Sequence, residues 1–152
     1  MEAEHPAQIL IADDERSIRW VLREALSAQG HQVHEAETGL EALEHLEKTP
    51  VDIALLDIRM PGMSGLDVIS RAQEAGCGAT MIIMTAQTTM ANAIEAMKRG
   101  AYDYVTKPFD LEVVQLLVRR GLEARKLSSQ VDSLRSELKK RYEMGVEIIG
   151  RS

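Results

Sequence analysis

The chain has 152 residues, enough for one compact domain with an appendage, and 45% of them are hydrophobic, which supports a real core. Aromatics make up only 3%, so that core is expected from Ile, Leu, Val, Met and Ala, and the single Cys77 excludes an internal disulfide and fits a reducing compartment. Residues 1–118 carry 9 Lys and Arg against 19 Asp and Glu, a net −10, while residues 119–152 carry 9 against 5, a net +4; the acidic head argues against nucleic-acid binding, and the basic tail reads as solvated helix charge.

The first candidate strand, 8–13, holds the apolar run Ile9-Leu10-Ile11-Ala12 and stops abruptly on Asp13-Asp14-Glu15. Ile18, Val21, Leu22, Ala25 and Leu26 then recur at i, i+3, i+4, i+7 and i+8, the spacing of an amphipathic helix, with Gly30 where it should end. A second strand is expected at 32–36. His31 and His34, three apart, would face opposite sides of it and so make no metal pair. Thr38-Gly39-Leu40-Glu41 has the form of a capping box opening the second helix, on which His45 reads as an exposed residue.

The third strand, 51–57, is apolar without alternation through Ile53-Ala54-Leu55-Leu56 and ends on Asp57. Gly62-Met63-Ser64-Gly65 lacks the lysine and spacing of a phosphate loop and reads as a turn into the third helix, with Ser64 as its cap. Gly76 marks the end of that helix, and Cys77, between two glycines, reads as a small unreactive loop residue. Met81-Ile82-Ile83-Met84 forms a fourth strand, 80–85, ending on Thr85. Met90, Ala93, Ile94 and Met97 keep most of a helical pattern before Gly100. A fifth strand, 102–106, runs into Lys107-Pro108.

Asp110 can cap a last helix whose inner face includes Leu111, Val114 and Leu117. Its spacing continues through Ala124, Leu127, Val131, Leu134 and Leu138 with heptad alternation, against which stand Gly121 and the seam residues Arg120 and Arg141. A helix from 110 to 142 would be about 50 Å long, whereas a domain of this size has a gyration radius of about 13 Å, so it would project. Its apolar seam predicts a homodimer through this linker. Val146 to Ser152 begin a new apolar run, which reads as the start of a following domain. No apolar run reaches the ~20 residues of a membrane span, and no basic-then-apolar leader is present, so a cytosolic protein without membrane contact is expected.

Five strands alternating with five helices imply α/β architecture, with βαβ units and a parallel sheet covered on both faces. Ligands bind such sheets outside the carboxyl ends of the strands. Asp13, Asp14, Asp57, Thr85 and Lys107 all lie at those ends. Carboxylates converging there repel each other, by about 4 kcal/mol for a pair ~4 Å apart at an effective dielectric near 20. A divalent cation removes that cost, and hard oxygen donors suit Mg²⁺. With Mg²⁺ and Lys107 neutralising a phosphoryl group, Asp57 is the natural nucleophile and Thr85 a hydrogen-bond donor to phosphoryl oxygen.

Asp13-Asp14, Leu55-Leu56-Asp57-Ile58-Arg59-Met60-Pro61-Gly62-Met63-Ser64-Gly65, Met84-Thr85-Ala86 and Tyr104-Val105-Thr106-Lys107-Pro108-Phe109, in that order, resemble the receiver domain of two-component response regulators. The resemblance implies a doubly wound (βα)5 flavodoxin-like fold with strand order 2-1-3-4-5. It implies a receiver over 7–122, a linker coiled coil over 123–143 and the start of another domain over 144–152. It also implies that Asp57 accepts a phosphoryl group from a sensor histidine kinase. Mg²⁺ would be held by Asp14, Asp57 and the Arg59 carbonyl, with Asp13 supporting through water. Lys107 would pair with the phosphoryl group, Thr85 and Tyr104 would act as switch residues, and Lys107–Pro108 would be a cis peptide. Arg59 and Gln87 would tune the lifetime of the acyl phosphate. The linker and Glu147-Ile148-Ile149-Gly150-Arg151-Ser152 resemble NtrC-type activators of sigma-54-dependent transcription, whose AAA+ ATPase module would follow. Sigma-54 RNA polymerase and DNA would be reached only through domains outside this chain. A Mg²⁺-dependent phosphohydrolase with an aspartyl intermediate is the enzymatic alternative, but the position two after Asp57, where a general acid would stand, is Arg59. A bare dimerisation module would leave the aligned polar strand ends unexplained.

Overall fold

A computed structural model describes residues 6–86, 90–125, 134 and 137–139. The expectations placed on Gln87, Leu127, Val131, Arg141 and 144–152 concern residues outside that set. The chain divides into two units, Met1–Leu122 and Glu123–Ser152. In the second, Leu134 and Leu138 are helical and exposed, and the continuous coiled-coil seam lies largely outside the described residues. No helix among the described residues is long and apolar enough to cross a membrane.

The first unit alternates strand and helix: β1 (Gln8–Ala12), α1 (Arg16–Ser27), β2 (Gln32–Ala36), α2 (Gly39–Lys48), β3 (Ile53–Asp57), α3 (Gly65–Glu74), β4 (Thr80–Ala86), α4 (Met90–Arg99) and β5 (Asp103–Lys107). A fifth helix, α5, covers 111–125. All strand pairs are parallel, in the order β2-β1-β3-β4-β5. The expected fold and order are therefore observed, with strand ends displaced by a residue or two: β1 stops at Ala12, β3 starts at Ile53, and β4 and β5 each run one residue further.

Side chains alternate across a strand, so each apolar strand feeds two cores. Leu10, Ala12, Ala54, Leu56, Met81 and Ile83 point to one face, against Ala42, Leu43 and Leu46 of α2 and Val68, Ile69 and Ala72 of α3. Ile9, Ile11, Ile53, Leu55, Ile82 and Met84 point to the other, against Leu22 and Leu26 of α1 and Val114, Leu117 and Val118 of α5. All five residues of β3 are buried, as a central strand covered on both sides requires. Gly121, a cost in an isolated helix, sits where an added Cβ would lie 2.8 Å from Ile53 Cδ1. Its small size suits the close packing of α5 on the sheet, where a Cβ would need the end of the Ile53 side chain to shift.

Local signals act as the sequence suggests at the helix starts. The Thr38 hydroxyl accepts from the Glu41 amide at 3.1 Å, and the Ser64 hydroxyl from the Asp67 amide at 3.2 Å. Two expectations need correction. On α4 the buried residues are Ala93 and Ala96, while Ile94 and Met97 are exposed; small residues let this helix approach the domain and turn its larger apolar groups outward. His45 is half-buried, its ring 5.8 Å from that of His34 on the edge strand β2, which covers part of it. Cys77 is half-buried in the turn after α3, its sulfur 3.7 Å from the Leu46 carbonyl oxygen.

Ile82 on β4 is fully buried between sheet and helices. Ile82→Ala is expected to cost about 2–5 kcal/mol of unfolding free energy, as deletion of buried methyl groups does, read from urea denaturation of the two proteins.

Candidate functional site

The register of the parallel sheet assembles the site. Ala12 pairs with Leu56 across β1 and β3, so Asp13 and Asp57 emerge side by side just past that pair. Asp57 in turn pairs with Met84, placing Thr85 one step beyond, and Ala86 pairs with Lys107. Four separate strands thus deliver carboxylates, a hydroxyl and an ammonium to one edge.

Asp13 is fully buried, and its two carboxylate oxygens are committed to different partners. One accepts from the Glu15 amide at 2.8 Å, fixing the turn into α1, and the other receives the Lys107 ammonium at 2.7 Å. Lys107 also lies 3.4 Å from Asp57 Oδ1. That oxygen accepts a long hydrogen bond, 3.4 Å, from the Arg59 amide, while the Arg59 side chain is exposed. Asp14 is exposed at the mouth, with one oxygen each from Asp13, Asp14 and Asp57 lying within 4.8 Å of one another. Thr85 is buried, its hydroxyl donating to the Ala86 carbonyl at 3.3 Å. Tyr104 is half-buried on the face of α2 and α3, and the Lys107–Pro108 peptide is cis.

The electrostatics follow from this crowding. Burial and the neighbouring Asp13 charge push the Asp57 carboxyl up to about 6, against the pull of Lys107 and the Arg59 amide. Burial opposes the Lys107 charge, but the hydrogen bond and charge of Asp13, with Asp57 behind it, hold the ammonium above its ordinary value. A cleft of about 250 Å³ opens over these groups, lined by Asp14, Glu15, Asp57, Ile58, Arg59, Thr85, Ala86, Asn92 and Lys107. Three carboxylates around one point form a hard oxygen donor set, and a divalent cation of Mg²⁺ type fits it.

Two contributors escaped the sequence reading. Asn92 reaches the cleft from α4, whose helical pattern reveals only its apolar side. Arg19, inside the apolar stripe of α1, is 5% exposed. Its guanidinium donates to the Asp13 carbonyl oxygen at 2.7 Å and pairs with Glu35 at 3.0 Å and Glu37 at 3.2 Å. The signal for it was a charged residue between Ile18 and Leu22 where the periodicity calls for the core.

A family model described as the response regulator receiver domain matches residues 9–119. The regulatory protein AtoC of Escherichia coli K12 is 36% identical over 138 residues, 91% of this chain and 30% of its own length. The DNA-binding transcriptional regulator NtrC of the same strain is 40% identical over 114 residues, 75% of this chain and 24% of its own. Among solved structures, NtrX from Brucella abortus superposes with a TM-score of 0.81 at 30% identity, over 86% of this chain and 30% of that one. The chain thus spans about a quarter to a third of the length of the curated relatives it matches.

A carboxyl whose folded value is raised from 3.8 to about 6 favours folding only while protonated. Its contribution is fully present below about pH 3.8 and is lost as pH rises through about 6. In metal-free buffer Asp57→Asn is therefore expected to be more stable than wild type at pH 7.5, by about 1–3 kcal/mol, and the gain should vanish below pH 4. Urea denaturation across pH in the presence of a chelator checks this; a gain independent of pH would refute it.

Proposed function

The chain belongs to the response regulator receiver family, and we propose that it is the phosphorylation switch of an NtrC-type activator of sigma-54-dependent transcription. The family carries a phosphorylation-based signalling role, and the domain catalyses only its own phosphorylation and dephosphorylation. One observation supports the proposed assignment of roles above others. Asp57, ending the central strand, has an oxygen within 4.8 Å of those of two further carboxylates, and a lysine already bridges it to Asp13.

In this reading Asp14, Asp57 and the Arg59 carbonyl hold Mg²⁺, with Asp13 in support, and the ion supplies shielding of the carboxylates and of phosphoryl oxygens. An Asp57 oxygen forms the new bond to phosphorus as the bond to the histidine nitrogen of a sensor kinase breaks, leaving an acyl phosphate. The Lys107 ammonium stands 3.4 Å from the accepting carboxylate and would follow the charge onto the phosphoryl oxygens. The Thr85 hydroxyl would turn from the Ala86 carbonyl toward the phosphoryl group, and Tyr104 would move into the space it leaves. A charge change at one carboxylate is thereby converted into repacking beside α4, β5 and α5. Ile94, Met97, Val113 and Leu116 give that side exposed apolar groups with which to signal.

The proposed organisation is a receiver over 7–122, a linker helix over 123–143 that dimerises, and a following ATPase domain beginning at 144–152, all in the cytoplasm. The sigma-54 polymerase and DNA would be engaged only by that further part. The exposed Leu134 and Leu138 support the dimer, being helical, apolar and spaced for a seam.

Incubation with acetyl phosphate and MgCl2 is expected to add one labile phosphoryl group, absent in Asp57→Ala and formed about 10²-fold more slowly in Lys107→Met, which loses a cation aimed at the developing charge. Intact-mass spectrometry and phosphate release give the readout. Many turnovers per chain would favour a phosphohydrolase, and no adduct would favour a scaffold. Light scattering with and without beryllofluoride tests whether the same event changes the oligomer.

A further inference from the structure

We infer that Gly39 and Gly65 are positioning residues for the acid pocket, seating the loop between β3 and α3 so that Asp57 and the Arg59 carbonyl face Asp13 and Asp14. The inference rests on the proposed reading that these groups hold a divalent cation.

The loop 58–64 is short and is tied by backbone hydrogen bonds to β4, to the start of α3 and within itself. The Ile58 amide donates to the Met84 carbonyl at 3.1 Å, the Gly65 amide to the Ile58 carbonyl at 2.9 Å, and the Met63 amide to the Pro61 carbonyl at 3.0 Å. At its exit a Cβ built on Gly65 would lie 2.4 Å from the Asp57 carbonyl oxygen and 3.1 Å from the Asp57 carbonyl carbon. On its far side a Cβ on Gly39 would lie 2.1 Å from the Met63 carbonyl oxygen and 2.7 Å from Met63 Cβ. The obstacles are backbone atoms and one Cβ fixed to the backbone, none of which can rotate away as a side chain end can.

Both glycines are the first residue of a helix, and both follow a side-chain cap: Thr38-Gly39-Leu40-Glu41 opens α2 and Ser64-Gly65-Leu66-Asp67 opens α3. Each cap hydroxyl accepts from the amide three residues on, so each glycine is pinned to its helix start. Neither has a positive φ. The position therefore demands a missing Cβ and makes no demand on backbone handedness. Alanine would suit both helices better on propensity alone, so the cost of substitution must come from the contact. Relief of a 2.4 Å contact to a normal separation requires about 1 Å of movement, shared between the start of α3 and the peptide that carries the Asp57 carboxylate, and it changes how the loop between them sits. Supporting residues of metal sites typically alter affinity by about 10- to 100-fold when changed.

Isothermal titration of the 152-residue chain with MgCl2 tests this. Gly65→Ala and Gly39→Ala are expected to keep a native far-UV spectrum and a cooperative melt while binding Mg²⁺ about tenfold or more weakly. Gly76→Ala is the control: its φ is +78° and nothing lies within 4 Å of the added Cβ. It should lose stability through backbone strain and bind Mg²⁺ as wild type does. Folded variants with wild-type affinity overturn the proposal, as do variants of both glycines that fail to fold, which would make them determinants of the fold. A wild-type chain that takes up no Mg²⁺ sinks the metal reading itself, a result distinct from either.

Discussion

Asp13 and Asp57 are forced together by the sheet: they leave β1 and β3 one after the other beyond a shared register, and neither can retreat without undoing a central strand. At ~4 Å such a pair costs about 4 kcal/mol at an effective dielectric near 20. Lys107, arriving from the edge strand β5, meets both and offsets part of that cost. The compensation is unequal. Asp13 holds the 2.7 Å contact and a backbone amide at 2.8 Å, whereas Asp57 has a lysine and a backbone amide only at 3.4 Å and a carboxyl pushed up to about 6. Of the two buried carboxylates Asp57 is thus the less satisfied, and it is the one that lines the cleft. A polar constellation at odds with fold stability is what functional sites characteristically show.

Behind the carboxylates stands a second charged layer. Arg19 is buried, which is tolerable only because every face of its guanidinium has a partner. Its bond to the Asp13 carbonyl ties α1 to the end of β1, and its pairs with Glu35 and Glu37 tie both to the end of β2. Burial raises the cost of the Glu35 charge, but hydrogen bonds and charge from Arg23 and Arg19 outweigh it and keep that carboxyl below its ordinary range. The turn Asp13-Asp14-Glu15 is therefore held from beneath by a cation and from within by the Asp13 side chain, which leaves the Asp14 carboxylate at the mouth of the cleft.

The legible parts of this molecule are those where chemistry repeats along the chain. Apolar runs ending on acids marked β1 and β3, and the cap motifs at Thr38 and Ser64 marked α2 and α3, because both signals are local. The convergence of Asp13, Asp14 and Asp57 could be anticipated from parallel strand ends alone. Individual side-chain pairings between segments remote in sequence, away from those strand ends, could not. Nothing near Arg19 reveals Glu35 or Glu37 as partners, and nothing near Gly39 reveals Met63. The exposure of Ile94 and Met97 was likewise hidden, since a helix with alanines on one side and larger apolar groups on the other can be read with either side inward. The half-burial of His45 is hidden for the same reason, since its neighbour His34 comes from a different element.

The packing of α4 bears on how a charge at Asp57 could be felt elsewhere. Among its described side chains only Ala93 and Ala96 are buried, so little apolar area holds it down. Among the described residues Arg99 ties it to Asp67 and Ser70 on α3, besides pairing with Glu95 within the helix, and these contacts are partly exposed and therefore weak. Elements of this kind lie at the low end of local stability, from which moving parts are drawn. Yet α4 also contributes Asn92 to the cleft, and β4 just before it contributes Thr85 and Ala86. Among the described side chains α4 places only two small residues in the core and yet reaches the cleft through Asn92, while β3, which carries Asp57, is secured on both faces. A rearrangement driven from the cleft would on that account spend its energy on α4 and leave the sheet intact.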